Sequence, residues 1–159
     1  MEWHWAREEG TVGIVRAAAQ GAVAGFAATG AMSGLLAAAY RRGKDPLLPP
    51  KLVTRRLLPG GRERTPRPGE NAVTVLAHAG FGVAAGAVFG AATGERSPGL
   101  VAGACYGLLV WLLSYEGWVP RLTVQPPAHR DNPKRAVTMV VAHLVYGAAL
   151  AAALRRMRR

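Results

Sequence analysis

The sequence predicts an all-α fold: an integral membrane four-helix bundle made of two parallel repeated helical hairpins. Three observations predict it. Four blocks are almost free of charge, the stretches between them are basic, and one order of motifs occurs twice along the chain. Half of the 159 residues are apolar, yet the net charge is +11. In a soluble helical bundle, charges would recur every turn or two on an outer face. Here they are segregated along the chain. Residues 17–40 contain no Asp, Glu, Lys, Arg or His, residues 71–94 contain only His78, residues 97–115 contain none, and residues 136–154 contain only His143. About 20 apolar residues at about 1.5 Å rise cross a hydrocarbon core of about 30 Å, and the blocks are of that order.

The elements follow in order. A polar arm over residues 1–15 carries Trp3, His4 and Trp5, an expected interfacial anchor. The first span covers about 16–40. Its flank mixes Glu2, Arg7, Glu8, Glu9 and Arg16, and it ends in Tyr40-Arg41-Arg42, a stop-transfer pattern and not a cleavable secretory signal. The basic loop 41–70 holds Pro46, Pro49, Pro50, Pro59, Pro66 and Pro68. Within it, residues 50–58 read as one or two amphipathic turns at the lipid headgroups, with Lys51, Arg55 and Arg56 as headgroup contacts. The second span covers about 71–93 and the third about 99–117, joined by the turn Thr93-Gly94-Glu95-Arg96-Ser97-Pro98. A second Pro-containing loop, 118–133, leads to the fourth span, about 134–156, with Asp131 or Asn132 as its N-cap. Glu116, at the end of the third span, is expected to pair with Arg121. The single cysteine, Cys105, excludes an intrachain disulfide, so one membrane domain rests on packing alone.

The two halves match in three places. Gly21-Ala22-Val23-Ala24-Gly25 aligns with Gly99-Leu100-Val101-Ala102-Gly103, and Ala77-His78 with Ala142-His143. Pro49-Pro50 and Pro126-Pro127 occupy the corresponding loops. A two-helix unit returns the chain to its starting side, so the halves are expected to be parallel repeats about an axis near the membrane normal. The Pro-Pro loops and their flanks carry thirteen of the 20 Lys and Arg residues, and the opposite side carries seven. The positive-inside rule then puts the Pro-Pro loops in the cytoplasm. The arginines at 155, 156, 158 and 159 pull the other way.

Small residues recur at every fourth position. The second span carries Gly82, Gly86, Gly90 and Gly94, and His78 extends the row. The first carries Gly13, Ala17, Gly21, Gly25, Thr29, Ser33 and Ala37; the third Gly99, Gly103 and Gly107; the fourth His143, Gly147 and Ala151. Lipid gives apolar helices no hydrophobic reason to associate. Small residues let backbones approach until dispersion and Cα–H···O contacts accumulate. Each span is therefore expected to present one glycine-zipper interface.

His78 and His143 are the candidate ligand-binding residues. The repeat places them at equivalent depth, on the packing faces. The preferred reading is structural, each imidazole hydrogen-bonding a neighbouring helix at a group such as Thr29 or Ser33. A bis-His haem b or a metal is the alternative, and a protonatable relay the third. No cofactor is expected. No P-loop, HExxH, CxxC or nucleophile elbow occurs, so the chain is expected not to be an enzyme. The basic loops flank membrane spans, which suits anionic lipid and not nucleic acid.

The segments Trp111-Leu112-Leu113-Ser114-Tyr115-Glu116-Gly117-Trp118-Val119-Pro120, Pro126-Pro127-Ala128-His129-Arg130 and Ala142-His143-Leu144-Val145-Tyr146-Gly147 together resemble a family of small multi-pass bacterial inner-membrane proteins of unknown function. The resemblance covers the third and fourth spans well and the first two loosely. It implies a multi-pass fold in the bacterial inner membrane and no assigned chemistry. The expected role is that of a non-catalytic subunit, accessory or assembly factor whose partners are lipid and other membrane subunits or itself. A small transporter or channel subunit is a further class, for which a tight four-helix bundle leaves little interior.

Overall fold

A computed structural model describes residues 2–40, 49–60, 65–66 and 68–159, with side chains described from residue 11 onward. The described residues are helical and contain no strand. The order is α1 (Glu2–Tyr40), α2 (Pro49–Leu57), α3 (Glu70–Thr93), α4 (Leu100–Trp111), a π-helical segment (Leu112–Trp118), α5 (Val119–Leu122), a 3-10 turn (Ala128–Arg130) and α6 (Pro133–Met157). Four stretches are long and apolar enough to cross a membrane: Thr11–Tyr40, Glu70–Thr93, Leu100–Leu122 and Pro133–Met157.

The first helix begins at Glu2, well before the expected start near residue 16. The third span also runs on past Gly117. Pro120 has no N–H to return to the carbonyl four residues back. The chain stays helical by widening: Val119 N–H bonds Ser114 O, five residues earlier. At the start of α6, Asn132 accepts from Lys134 N at 3.0 Å and Pro133 occupies the first turn. Asn132 is thus the cap, and Asp131 is free for another role.

α1 packs against both α3 and α6, and α6 packs against α4. The α1–α3 contact is backbone on backbone. A Cβ built on Gly21 would lie 2.8 Å from Gly90 Cα, and one on Gly86 would lie 2.7 Å from Gly25 Cα. A Cβ on Gly82 would collide with the Thr29 side chain. In the α4–α6 contact, a Cβ on Gly103 would overlap the Gly147 carbonyl, and one on Gly107 the His143 carbonyl. Only glycine permits these approaches. α3 and α4 are bridged by side chains. Tyr106 Oη donates to Ala85 O at 2.7 Å, and its ring lies 4.7 Å from that of Phe89, centroid to centroid. Tyr146 Oη of α6 donates to Gly82 O of α3 at 2.7 Å. At the end away from the Pro-Pro loops, Arg158 ties three elements together through Gln20 Oε1 (3.1 Å), Thr93 Oγ1 (3.0 Å) and Arg96 O (2.6 Å).

The buried core shows where a strict four-residue stripe fails. Four residues turn an α-helix about 40° past a full circle, so such a stripe walks around it. Along α1 the buried face moves from Ala17 and Gly21 to Ala24, Ala28, Met32 and Leu36. Ser33 and Ala37, expected at the interface, are exposed, and Gly13 meets nothing within 4 Å. Gly94 and Gly99, expected to pack helices, form the turn instead. Gly94 caps α3 with φ +57°, Gly99 precedes α4 in extended conformation, and neither has a neighbour within 4 Å of an added Cβ.

Candidate functional site: a cavity between the spans at the Pro-Pro loop end

The glycine contacts hold α1 to α3 and α4 to α6 over part of their length. Toward the Pro-Pro loops, bulkier residues take their place: Met32 and Leu36 on α1, His78 and Phe81 on α3, Met139 on α6. These hold the backbones apart around a cavity of about 220 Å³. Thr29 and Met32 line it from α1, Val53 from α2, His78 and Phe81 from α3, Ser114, Tyr115 and Trp118 from the π segment, and Met139, His143 and Tyr146 from α6.

The lining is mostly apolar, and its hydroxyls are already committed. Thr29 Oγ1 donates to Gly25 O at 2.8 Å, Ser114 Oγ to Val110 O at 2.7 Å, and Tyr146 Oη to Gly82 O. The two imidazoles differ from these. His143 Nδ1 lies 2.7 Å from Met139 O, one turn back in its own helix. A carbonyl only accepts, so Nδ1 carries the proton and the neutral ring keeps Nε2 as an acceptor. His78 Nε2 is buried without a hydrogen-bond partner. The expectation that each histidine bonds a neighbouring helix, at Thr29 or Ser33, is therefore corrected. Thr29 bonds its own helix, and so does His143. The two histidines do share one cavity.

A polar network closes the loop end. Tyr115 Oη donates to Asp131 Oδ2. Gln125 Nε2 donates to Tyr115 Oη at 3.0 Å and to Asp131 Oδ2 at 2.6 Å. Arg135 Nη1 pairs with Asp131 Oδ1 at 3.4 Å. The loop 118–133 is thereby anchored to a π-segment tyrosine that also lines the cavity. Nearby, Glu116 binds His129 through both backbone N (3.0 Å) and Nδ1 (2.9 Å), and Arg121 donates to Gly117 O instead. The expected Glu116–Arg121 pair is replaced because the 3-10 turn at 128–130 brings His129 closer.

Helix α2 lies against the bundle. Arg55 is 3 % exposed and forms a two-point pair with Glu70, Nε to Oε2 and Nη2 to Oε1, both at 2.7 Å. Lys51 Nζ lies 3.1 Å from Glu70 Oε1. The expectation of headgroup contacts is corrected for Arg55, which faces protein. A carboxylate at the start of α3 is within reach of two basic side chains that one helical turn of α2 stacks together. Arg56 is exposed. Arg41, Arg42, Lys44, Arg62, Arg64 and Arg67, and the side chains of Trp3, His4 and Trp5, lie outside the described residues. Cys105 is exposed, and no group of three or more His, Cys, Asp or Glu side chains is placed to hold a metal ion among the described residues.

The sequence offered signals for part of what was missed. Pro120, three residues after Gly117, marks a helix that must distort, and Glu70 is an acid at a helix start beside a basic loop. The Tyr115–Gln125–Asp131 network had no such signal, because its members come together only when the loop folds back.

No curated protein and no solved structure matches the chain. Residues 15–159, all four apolar helices but for the first residues of α1, match a family of unknown function, DUF6789. The chain, four apolar helices around a histidine-lined cavity, belongs to the DUF6789 family.

Proposed function

We propose that this protein is a non-catalytic, multi-pass component of the bacterial inner membrane, an accessory subunit or assembly factor that acts through helix–helix contacts with itself or another membrane protein. The observation that carries this reading is the outer face of α1. Ala27, Gly30, Ser33, Gly34 and Ala37 are exposed there, and a Cβ on Gly30 or Gly34 would meet nothing within 4 Å. Ala27, Gly30, Ser33 and Ala37 border a groove of about 610 Å³ between α1 and α3. Small residues at this spacing are what a further helix needs to approach in lipid. Gly30→Leu with Gly34→Leu is expected to leave the monomer folded and to abolish a higher-order species seen by native gel and cross-linking in membranes. Undiminished association in the double variant would remove the basis for this face.

The same reading takes the fold as two parallel repeated hairpins joined by glycine zippers. Its support is one correspondence. Aligning the halves carries Gly25 to Gly103 and Gly82 to Gly147, and both Gly25–Gly82 and Gly103–Gly147 are close backbone contacts. With thirteen basic residues on their side, the Pro-Pro loops face the cytoplasm. Reporter fusions at residues 60 and 125 are then expected to report the cytoplasm, and a C-terminal fusion the opposite side. Opposite results at 60 and 125 would rule out parallel hairpins. A bis-His haem or metal site is the second reading, favoured by two histidines lining one cavity. A volume of about 220 Å³ weighs against a porphyrin, since it is below the roughly 300–1,000 Å³ typical of pockets for drug-sized ligands.

A further inference from the structure

The cavity at the Pro-Pro loop end has a size, a polarity and a way in that together define a ligand. At about 220 Å³ it exceeds the roughly 150 Å³ of an apolar cavity that accepts benzene, so one substituted six-membered ring fits. Its lining includes no Asp, Glu, Lys or Arg, so a charged head would lose its hydration without a counter-charge. Two groups in it retain hydrogen-bonding capacity, His143 Nε2, an acceptor in the neutral ring, and His78 Nε2, which is buried without a partner. A ligand that satisfies His143 Nε2 must bring a neutral donor, and a ring hydroxyl is one such group.

The way in faces lipid. Phe81 of α3 and Trp118 of the π segment both line the cavity, are 42 % and 36 % exposed, and meet with ring centroids 6.0 Å apart at a tilt of 55°. This is the seam between α3 and the third span, which is bridged by side chains and lacks the glycine contacts of the α1–α3 and α4–α6 pairs. Two aromatic side chains can swing apart where packed glycines cannot. The π segment contributes Trp118 and Ser114 to this wall, and such widened turns recur at functional sites.

We propose that the cavity binds the hydroxylated ring of a membrane-soluble quinol, one ring hydroxyl donating to His143 Nε2 and the ring lying beside His78, with the apolar tail leaving between Phe81 and Trp118 into the bilayer. The cavity adjoins the α1–α3 groove, since Thr29, Leu36, Pro50 and His78 line both, but this reading does not rest on association through the α1 face. A quinol donates through its hydroxyls, and the corresponding quinone only accepts. The site therefore discriminates between the two, and the reduced form binds tighter.

The test uses the full chain purified in detergent under anaerobic conditions, with thermal unfolding as the readout and three probes of equal tail length: decylubiquinol, decylubiquinone and decylbenzene. At free quinol about a hundredfold above its Kd, the midpoint is expected to rise by roughly 5–10 °C. The quinone should give a smaller rise, and decylbenzene none. His143→Phe keeps a planar ring without the acceptor and should reduce the quinol shift to that of decylbenzene. If that variant does not fold, the three-probe comparison on the natural sequence decides alone. No shift with quinol, or equal shifts with all three probes, overturns the proposal.

Discussion

Gly86→Leu is expected to disrupt the packing of α1 on α3, and Val88→Leu, two residues away, to be nearly neutral. A side chain at residue 86 has nowhere to go. Even its Cβ would sit 2.7 Å from Gly25 Cα and overlap the Gly21 carbonyl. The obstacle is backbone in the middle of a helix, so relief requires the two helices to separate along their shared face. Overpacking against movable side chains costs about 1–3 kcal/mol. Against backbone the cost should reach or exceed the top of that range, and separation also removes the neighbouring contacts at Gly21, Gly82 and Gly90. Val88 is 61 % exposed on the outer side of α3, where a longer side chain has room. Thermal unfolding of both variants in detergent is the measurement. Similar midpoints for the two would show that the α1–α3 contact contributes little to stability.

Glu70→Ala is expected to release α2 from the bundle. The substitution leaves Arg55, 3 % exposed, without the carboxylate that meets it at two points, and leaves Lys51 without its partner as well. Removing one member of a buried pair costs about 3–5 kcal/mol, mostly because the remaining charge is left desolvated. α2 is short and reaches the bundle through few elements, so the loss should appear as local opening. Limited trypsinolysis after Arg55 and Arg56 should then accelerate by about two orders of magnitude or more, since each ~1.4 kcal/mol is tenfold. Replacing both members, Arg55→Leu with Glu70→Leu, removes the uncompensated charge and should restore most of the protection at Arg56. Unchanged cleavage in Glu70→Ala would mean that the other buried residues of α2, Pro49, Leu52 and Thr54 among them, suffice to hold it.

The four apolar spans were legible because the bilayer imposes a rule that needs no tertiary knowledge: about 20 uncharged residues, then charge. The contact glycines at 21, 25, 82, 86, 90, 103, 107 and 147 were legible for a related reason. Backbone contact between helices requires glycine, and glycine at a helical spacing is visible in a sequence. Its limit was also physical. A four-residue stripe leaves a helix face after a few steps, so Ser33, Ala37 and Gly13 fell off the contact, and Gly94 and Gly99 proved to be turn residues. His78 and His143 line one cavity, at depths in their spans that the sequence showed to be alike.

Composition and spacing by themselves determined how many helices are long and apolar enough to cross a membrane and where each span begins and ends to within several residues, and they pointed to eight contact glycines together with three, Gly13, Gly94 and Gly99, that make no such contact. Only the tertiary structure decided what the polar side chains do. Arg55 turned from lipid to Glu70, Glu116 chose His129 over Arg121, Tyr115 joined Asp131 and Gln125, and His143 bonded its own helix. The reason is one of range. Burial of a long apolar segment is a sum over many residues and survives local error. A hydrogen bond depends on two atoms within about 3 Å, and loop paths of a dozen residues set that separation.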